Sequence, residues 1–153
     1  MQKWQTSRWV PSLIDGFLNH GGLFDNSPME NYLADFFQNF DKIERKITLA
    51  AMNIETGEYT RWDESIGLEN LPRVIRASGS VPFFFSPTEH EGNIYIDGGI
   101  NWNVNVVDAI ERCREVVDDD DHIVLDIAIT EWIANDLLEE APHSVYSLHK
   151  RMN

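Results

Sequence analysis

The sequence predicts an α/β layered fold, with a mainly parallel sheet and flanking helices, on three observations. Runs that read as strands alternate with runs that read as helices. Two of the strand-like runs, "ITLAAMNI" and "HIVLDIAI", are apolar through their middle, as strands covered on both faces are. The composition, 42% hydrophobic and 11% aromatic, suits a chain that builds a core. At 153 residues, with no internal repeat and no low-complexity linker, a single domain over 1–153 is expected.

The elements follow in order. In "LFDNSPMENYLADFFQNF", Ser27, Pro28 and Glu30 have capping-box spacing with proline at the first helical position. Leu33, Phe36, Phe37 and Phe40 then recur at helical spacing, which predicts a helix from Pro28 to Phe40. "RKITLAAMNIETGEYTRWD" reads as a strand from Ile47 to Ile54, a Thr-Gly turn and a second strand. "LENLPRVIRAS" is a short helix, Ile94 to Ile96 a short strand ending at Asp97, and "VNVVDAIERCREVV" an amphipathic helix. "HIVLDIAI", His122 to Ile129, is the last strand expected. The tail from Glu131 reads as one or two helices broken at Pro142.

Charge and motif content exclude several functions. Twelve Lys and Arg against twenty-six Asp and Glu give a net charge of −14, a field that repels phosphate backbones, so no nucleic-acid partner is expected. The same field opposes electrostatic docking on anionic membranes, leaving apolar side chains to make any lipid contact. No apolar run approaches the roughly 20 residues that span a bilayer, and "MQKWQTSRWVPSL" lacks the apolar core of a signal peptide. An intracellular protein, soluble or peripherally attached to membrane, is the expectation. The single cysteine, Cys113, rules out an internal disulfide and is read as a small core side chain. The five histidines share no ligand-like spacing, and the aspartates at 118–121 read as an exposed acidic loop. No phosphate-binding glycine loop or dinucleotide fingerprint occurs, and no metal or organic cofactor is expected.

Two stretches carry chemistry: "RASGSVPFFFSP" at 76–87 and "YIDGGINWN" at 95–103. The second sets a carboxylate, Asp97, at the end of a strand, the edge where α/β sheets bind ligands. Gly98 and Gly99 then let the backbone turn and let another group come close. A plain Asp-Gly turn is the alternative. Taken together, the two stretches resemble the patatin-like phospholipase family over roughly residues 21–130, with residues 1–20 and the tail 131–153 outside the resemblance. Ala77, Ser78 and Pro82 match the family's Ala-Ser-x-x-x-Pro loop, Phe85 and Pro87 its exit. Asp97, Gly98 and Gly99 match its acid motif and Asn103 the asparagine that follows, while Asn105 stands where the family often has proline.

The resemblance implies a partial patatin-like fold and lipid acyl ester hydrolysis by a serine–aspartate dyad. Asp97 would be the base that takes the serine proton, and Gly98, Gly99, Asn103, Ser78 and Pro82 would support the site. Phe83, Phe84 and Phe85 would line an acyl channel, or else be ordinary core. The implied partners are a lipid or acyl ester substrate and, transiently, a membrane or lipid-droplet surface. Two features of the family are missing: the Gly-x-Ser-x-Gly elbow that carries the nucleophile and the glycine-rich oxyanion loop. Ser78 and Ser80 lie in "ASGSVP", which is no elbow, and are expected to cap or turn the backbone. This chain alone is therefore expected to be inactive. The reading is the C-terminal part of a patatin-like hydrolase, and the rival a non-catalytic remnant serving as a structural or interaction subunit. A second chain or copy is expected to cover the incomplete sheet, unless Met1–Phe24 folds back over it.

Overall fold

The computed structural model describes residues 21–101 and 104–128, together with the backbone of 3–4. Strand β1 (Lys3–Trp4) pairs antiparallel with β2 (Gly22–Asp25), and β2 pairs parallel with β5 (Phe83–Phe85). The second sheet has the order β4 (Tyr59–Trp62), β3 (Leu49–Asn53), β7 (Asn93–Asp97), β6 (Thr88–His90), each pair antiparallel. Helices α1 (Ser27–Phe37) and α2 (Gly67–Ser78) pack on each other, and α2 lies on β3, β6 and β7. Helix α3 (Val106–Arg114) follows the second sheet. The expected α/β layering is present, with mixed strand directions. Among the described residues its parallel character is confined to β2 and β5.

Local chemistry explains the boundaries. Helix α1 ends at Phe37 instead of Phe40 because Asn39 claims the Phe36 carbonyl, through its side chain at 2.9 Å and its own N–H at 3.3 Å. Its start also differs from a capping box. Ser27 N–H donates to Asp25 Oδ1 at 2.9 Å, and the Glu30 carboxylate turns to Arg73 and Arg76. Two guanidiniums outbid the backbone N–H that a capping box would offer it. The β3–β4 turn forms at Thr56-Gly57 as expected. Asn53, 5% exposed, accepts from the N–H groups of Glu55 and Thr56 through its side-chain oxygen.

The core is small. Ala51 on β3, Ala77 on α2 and Tyr95 on β7 are buried together, with Trp62 packed edge-on to Tyr95 at 5.0 Å between ring centroids. Leu71, Val74 and Ala77 recur every third residue along α2 and present one face to the sheet. Beside this core lies a polar node at Ser80, which is fully buried. Its hydroxyl donates to the Arg76 carbonyl at 2.8 Å, accepts from Asn26 Nδ2 at 3.1 Å and meets Thr88 Oγ1 at 2.9 Å. A serine hydroxyl has one hydrogen, already given to Arg76, so Thr88 is the donor in the third bond. Asn26 in turn accepts from Arg76 Nε at 2.8 Å.

Three expectations are corrected. The run from His122 to Ile129 forms no strand among the described residues. Asp120–His122 is a single 3₁₀ turn, and residues 123–128 are irregular, with Val124 86% exposed. An apolar run becomes a buried strand only where a neighbour pairs with it, and none of the described residues does so here. The strand expected at Ile47–Ile54 does not lack neighbours, because β3 is flanked by β4 and β7. Cys113 is exposed instead of core, since α3 turns its Asp108 side inward, where Asp108 pairs with Arg61 and Asn105. The expected tail and most of the N-terminal segment lie outside the described residues.

Two predictions follow from these contacts. Replacing Ser80 with alanine leaves Asn26 Nδ2 and Thr88 Oγ1 without their buried partner, at a cost of about 1–3 kcal/mol in urea denaturation. The second concerns acid. Helix α3 is tied back by Arg112 to Glu64, and the Glu64 carboxyl is held at about 2 by its own backbone N–H and by Arg112. Its folded pKa lies below the ordinary 4.5, so this contribution is complete above the ordinary value and is lost as pH falls towards about 2. The urea midpoint should drop across that window, and Glu64→Gln should flatten the drop.

Candidate active site

The end of β7 places the acid. Asp97 N–H donates to the Ser80 carbonyl at 3.0 Å, so the node that fixes Ser80 also fixes the backbone of Asp97. The Asp97 side chain then caps a 3₁₀ turn, Gly98–Ile100, by accepting from Gly99 N–H at 2.7 Å. One carboxylate oxygen is thereby oriented. The other accepts no hydrogen bond among the described residues and remains available for a proton.

The two glycines have separate reasons. A Cβ on Gly98 would stand 2.7 Å from the Ala50 carbonyl oxygen, because the turn lies directly on the backbone of β3. A Cβ on Gly99 would stand 3.0 Å from Asp97 Oδ1 and crowd the oxygen that its N–H holds. The pair thus seats the turn on the sheet and leaves room for the carboxylate.

Asp97 opens into a cavity of about 300 Å³ that Ser78, Gly98, Gly99, Tyr59 and Asn105 also line. Of the residues expected from sequence, Ser78, Asp97, Gly98 and Gly99 are therefore brought together. Pro82 and the three phenylalanines do not line this cavity. Phe83 and Phe84 are 66% and 55% exposed, while Phe85 rests on Phe24 with ring centroids 6.3 Å apart. Phe83 adopts a left-handed backbone, φ 69°, unusual for an aromatic residue. Asn103 lies outside the described residues. Ser78 is the last residue of α2, and Ser80, in the buried node, donates its hydroxyl to the Arg76 carbonyl at the end of that helix.

Sequence reasoning missed Tyr59. Burial pushes its phenol pKa up, and the negative charges of Asp108 and Asp97 add to the shift, so Tyr59 keeps its proton as a neutral donor in the cavity wall. Its place in a strand after a hairpin gave no sign of this. Asn105 caps α3 and joins its amide to Asp108, which is why a polar residue serves where the resemblance led one to expect proline. Among the described residues no group of His, Cys, Asp or Glu is placed to hold a metal ion. Asp119 and Asp120 instead cap a turn and pair with Arg114. No helix among these residues is long and apolar enough to cross a membrane.

Chemically, this is an oriented carboxylate at a strand end, in a cavity of polar and apolar walls. A family model described as Patatin-like phospholipase matches residues 2–110. The chain belongs to the patatin-like phospholipase family. The match contains the whole path from β1 to Asp97 and into α3, and it includes the N-terminal segment that the motifs alone did not reach. Membership suggests a hydrolase of the lipid acyl class. No curated protein matches the chain.

The glycines of this patatin-like site can be told apart by substitution. Gly98→Ala must push back the β3 backbone and should cost about 1–3 kcal/mol in thermal or urea denaturation. Gly79→Ala, whose Cβ would find its nearest neighbour at 3.6 Å, should change stability little. Equal tolerance of the two would show that the turn does not depend on close approach to Ala50.

Proposed function

We propose that this chain is the acid-bearing part of a patatin-like lipid acyl hydrolase, in which Asp97 is the general base of a serine–aspartate dyad. The observation that supports this most is the state of Asp97: a strand-end carboxylate with one oxygen held by Gly99 N–H and the other free among the described residues. A serine hydroxyl needs such a positioned base, because unaided it is a weak nucleophile. An aspartate is a poorly matched base by pKa and works only when held in contact with the proton it takes. The base would take the serine proton as the oxygen attacks the ester carbonyl. It would return that proton to the leaving alcohol when the tetrahedral intermediate collapses. Water would then free the acyl group by the same route.

The serine of that dyad is not in this sequence, which holds no Gly-x-Ser-x-Gly. Ser78 shares the cavity, but it closes α2 and has no elbow to expose it. The missing elbow favours a second reading, a non-catalytic subunit that keeps the fold for structural or interaction purposes. Val124, Leu125 and Ile127 stand exposed after α3, and a second chain or copy covering them is part of either reading.

The experiment joins the chain to whatever reading frame precedes Met1. If that frame supplies a Gly-x-Ser-x-Gly, the longer protein should cleave p-nitrophenyl acyl esters, and Asp97→Asn should lower turnover about 100-fold or more at unchanged stability. Asparagine still accepts from Gly99 N–H but cannot take the serine proton. The 153-residue chain alone should show no turnover. Fluorophosphonate-sensitive hydrolysis by the chain alone, or an Asp97→Asn variant within a few-fold of its parent, would defeat the proposal.

A further inference from the structure

A cavity of about 500 Å³ lies where α1, the first turns of α2 and the β6–β7 hairpin meet, and it shares no lining residue with the Asp97 cavity. Strand β7 runs between the two. His90 stands opposite Asn93 at one end of that strand and Asp97 closes the other, roughly 13 Å away at about 3.3 Å per residue. Three carboxylates line the cavity without a counter-charge. Glu69, Glu89 and Glu91 are exposed, and among the described residues no cation pairs with them and no donor bonds their side chains. Arg73 is in the wall too, but its guanidinium is held by Glu30 at 2.7 and 2.8 Å. The start of α2 brings about half a positive charge near Glu69, which leaves the cavity negative. A second observation is independent of charge. His90 is 5% exposed, and its Nε2 is buried with no hydrogen-bond partner among the described residues. Trp62 meets the imidazole edge-on, ring centroids 6.0 Å apart, and the imidazole forms part of the cavity wall. A buried nitrogen without a partner is costly, and a donor entering the cavity removes that cost.

We propose that this cavity binds an aliphatic diamine or polyamine, with its ammonium groups on the carboxylates and one N–H donated to His90 Nε2. The site is separate from Asp97 and stands whether or not Asp97 is a catalytic base. The chemistry of the wall selects the occupant. Among the described residues no three of His, Cys, Asp and Glu converge closely enough for a metal ion. An anion would meet three like charges. An ammonium group carries three donors, so one group can serve a carboxylate and the imidazole together. Ala34 and Pro72 add apolar surface to the wall, on which the methylenes between two ammonium groups can lie. A volume of this order suits a small organic ion. Bound there, a diamine bridges Glu69 on α2 and Glu89 on β6, and so favours the folded chain.

Titration calorimetry of 1,4-diaminobutane into the full chain at physiological ionic strength tests this, and should give saturable one-to-one binding. Glu69→Gln and Glu89→Gln should each weaken it about two- to fivefold, the range of an exposed ion pair, and the double variant about tenfold. Asp118→Asn removes the same charge from an exposed position beyond α3 and should leave the affinity unchanged. 1-Aminobutane, with the same carbon chain and one charge, should bind about fivefold more weakly or worse. His90→Phe keeps a ring against Trp62 but accepts no hydrogen bond, and should weaken binding about tenfold. The unaltered chain gives the same answer without any variant, because the imidazole nitrogen resonances of His90 should shift as the diamine saturates. The absence of saturable binding, or His90 resonances that stay fixed, overturns the site. So does equal weakening by Asp118→Asn, which would mean diffuse attraction to an acidic chain. Equal affinity for 1-aminobutane, or a magnesium ion binding in the diamine's place, overturns the choice of ligand.

Discussion

Much of this structure depends on the bonding capacity of one buried hydroxyl. Ser80 Oγ gives its only hydrogen to the end of α2 and takes one hydrogen from the β2–α1 junction and one from β6. The Ser80 carbonyl then takes the Asp97 N–H. Four separate pieces of chain are thus indexed to a single residue, and every lone pair and proton on the hydroxyl is used. A hydrophobic core of Ala51, Ala77 and Tyr95 could not do this, because apolar contact is non-directional and tolerates sliding. A satisfied polar node has one geometry. The Glu30 pair extends the node outward. Burial raises its carboxyl pKa, but hydrogen bonds from Arg76 and Arg73 outweigh that and hold it below its ordinary value.

This division of labour explains what could be read in advance. Part of the strand and helix order was legible, because it follows from periodicity and turn residues alone, as at Leu49–Asn53, Gly67–Ser78 and Val106–Arg114; the short strands Gly22–Asp25, Phe83–Phe85 and Thr88–His90 were not. Asp97 with its two glycines was legible because a strand-end acid on a sharp turn is a local pattern. The node was not. Asn26, Arg76 and Thr88 are ordinary polar residues in sequence, and only the fold brings positions 54 and 8 residues away onto Ser80. Two-sided apolar runs misled for a related reason. They report that burial is needed, not which element supplies it, so "ITLAAMNI" found its neighbours in β4 and β7 while "HIVLDI" found none among the described residues.

The acid motif shows how backbone packing becomes chemistry. Gly98 lets the turn sit on the Ala50 carbonyl, with Tyr59 close beside it, and the Asp97 carboxylate and Tyr59 line the same cavity. The phenol is kept protonated by its burial and by the negative charges near it, so it can donate but cannot add a second anion to the cavity.

Charge and apolar surface then divide the work of recognition. A chain with a net charge of −14 cannot rely on long-range attraction to draw in phosphate-bearing lipids, and at physiological salt that field reaches only about 8 Å. On the proposed reading, affinity for an acyl ester has to come from removing hydrocarbon from water. That interaction is strong only over contact distances, so an apolar wall has to lie within reach of the acid. Thr48 and Leu49 line both the Asp97 cavity and a larger, mainly apolar one beside it. Moving the register of β3 by one residue would turn Leu49 to the opposite face and away from the Asp97 cavity. The register is pinned twice, by Leu49 opposite Trp62 and by Ala51 opposite Asp97, so the sheet that carries the acid also holds Leu49 in place beside it.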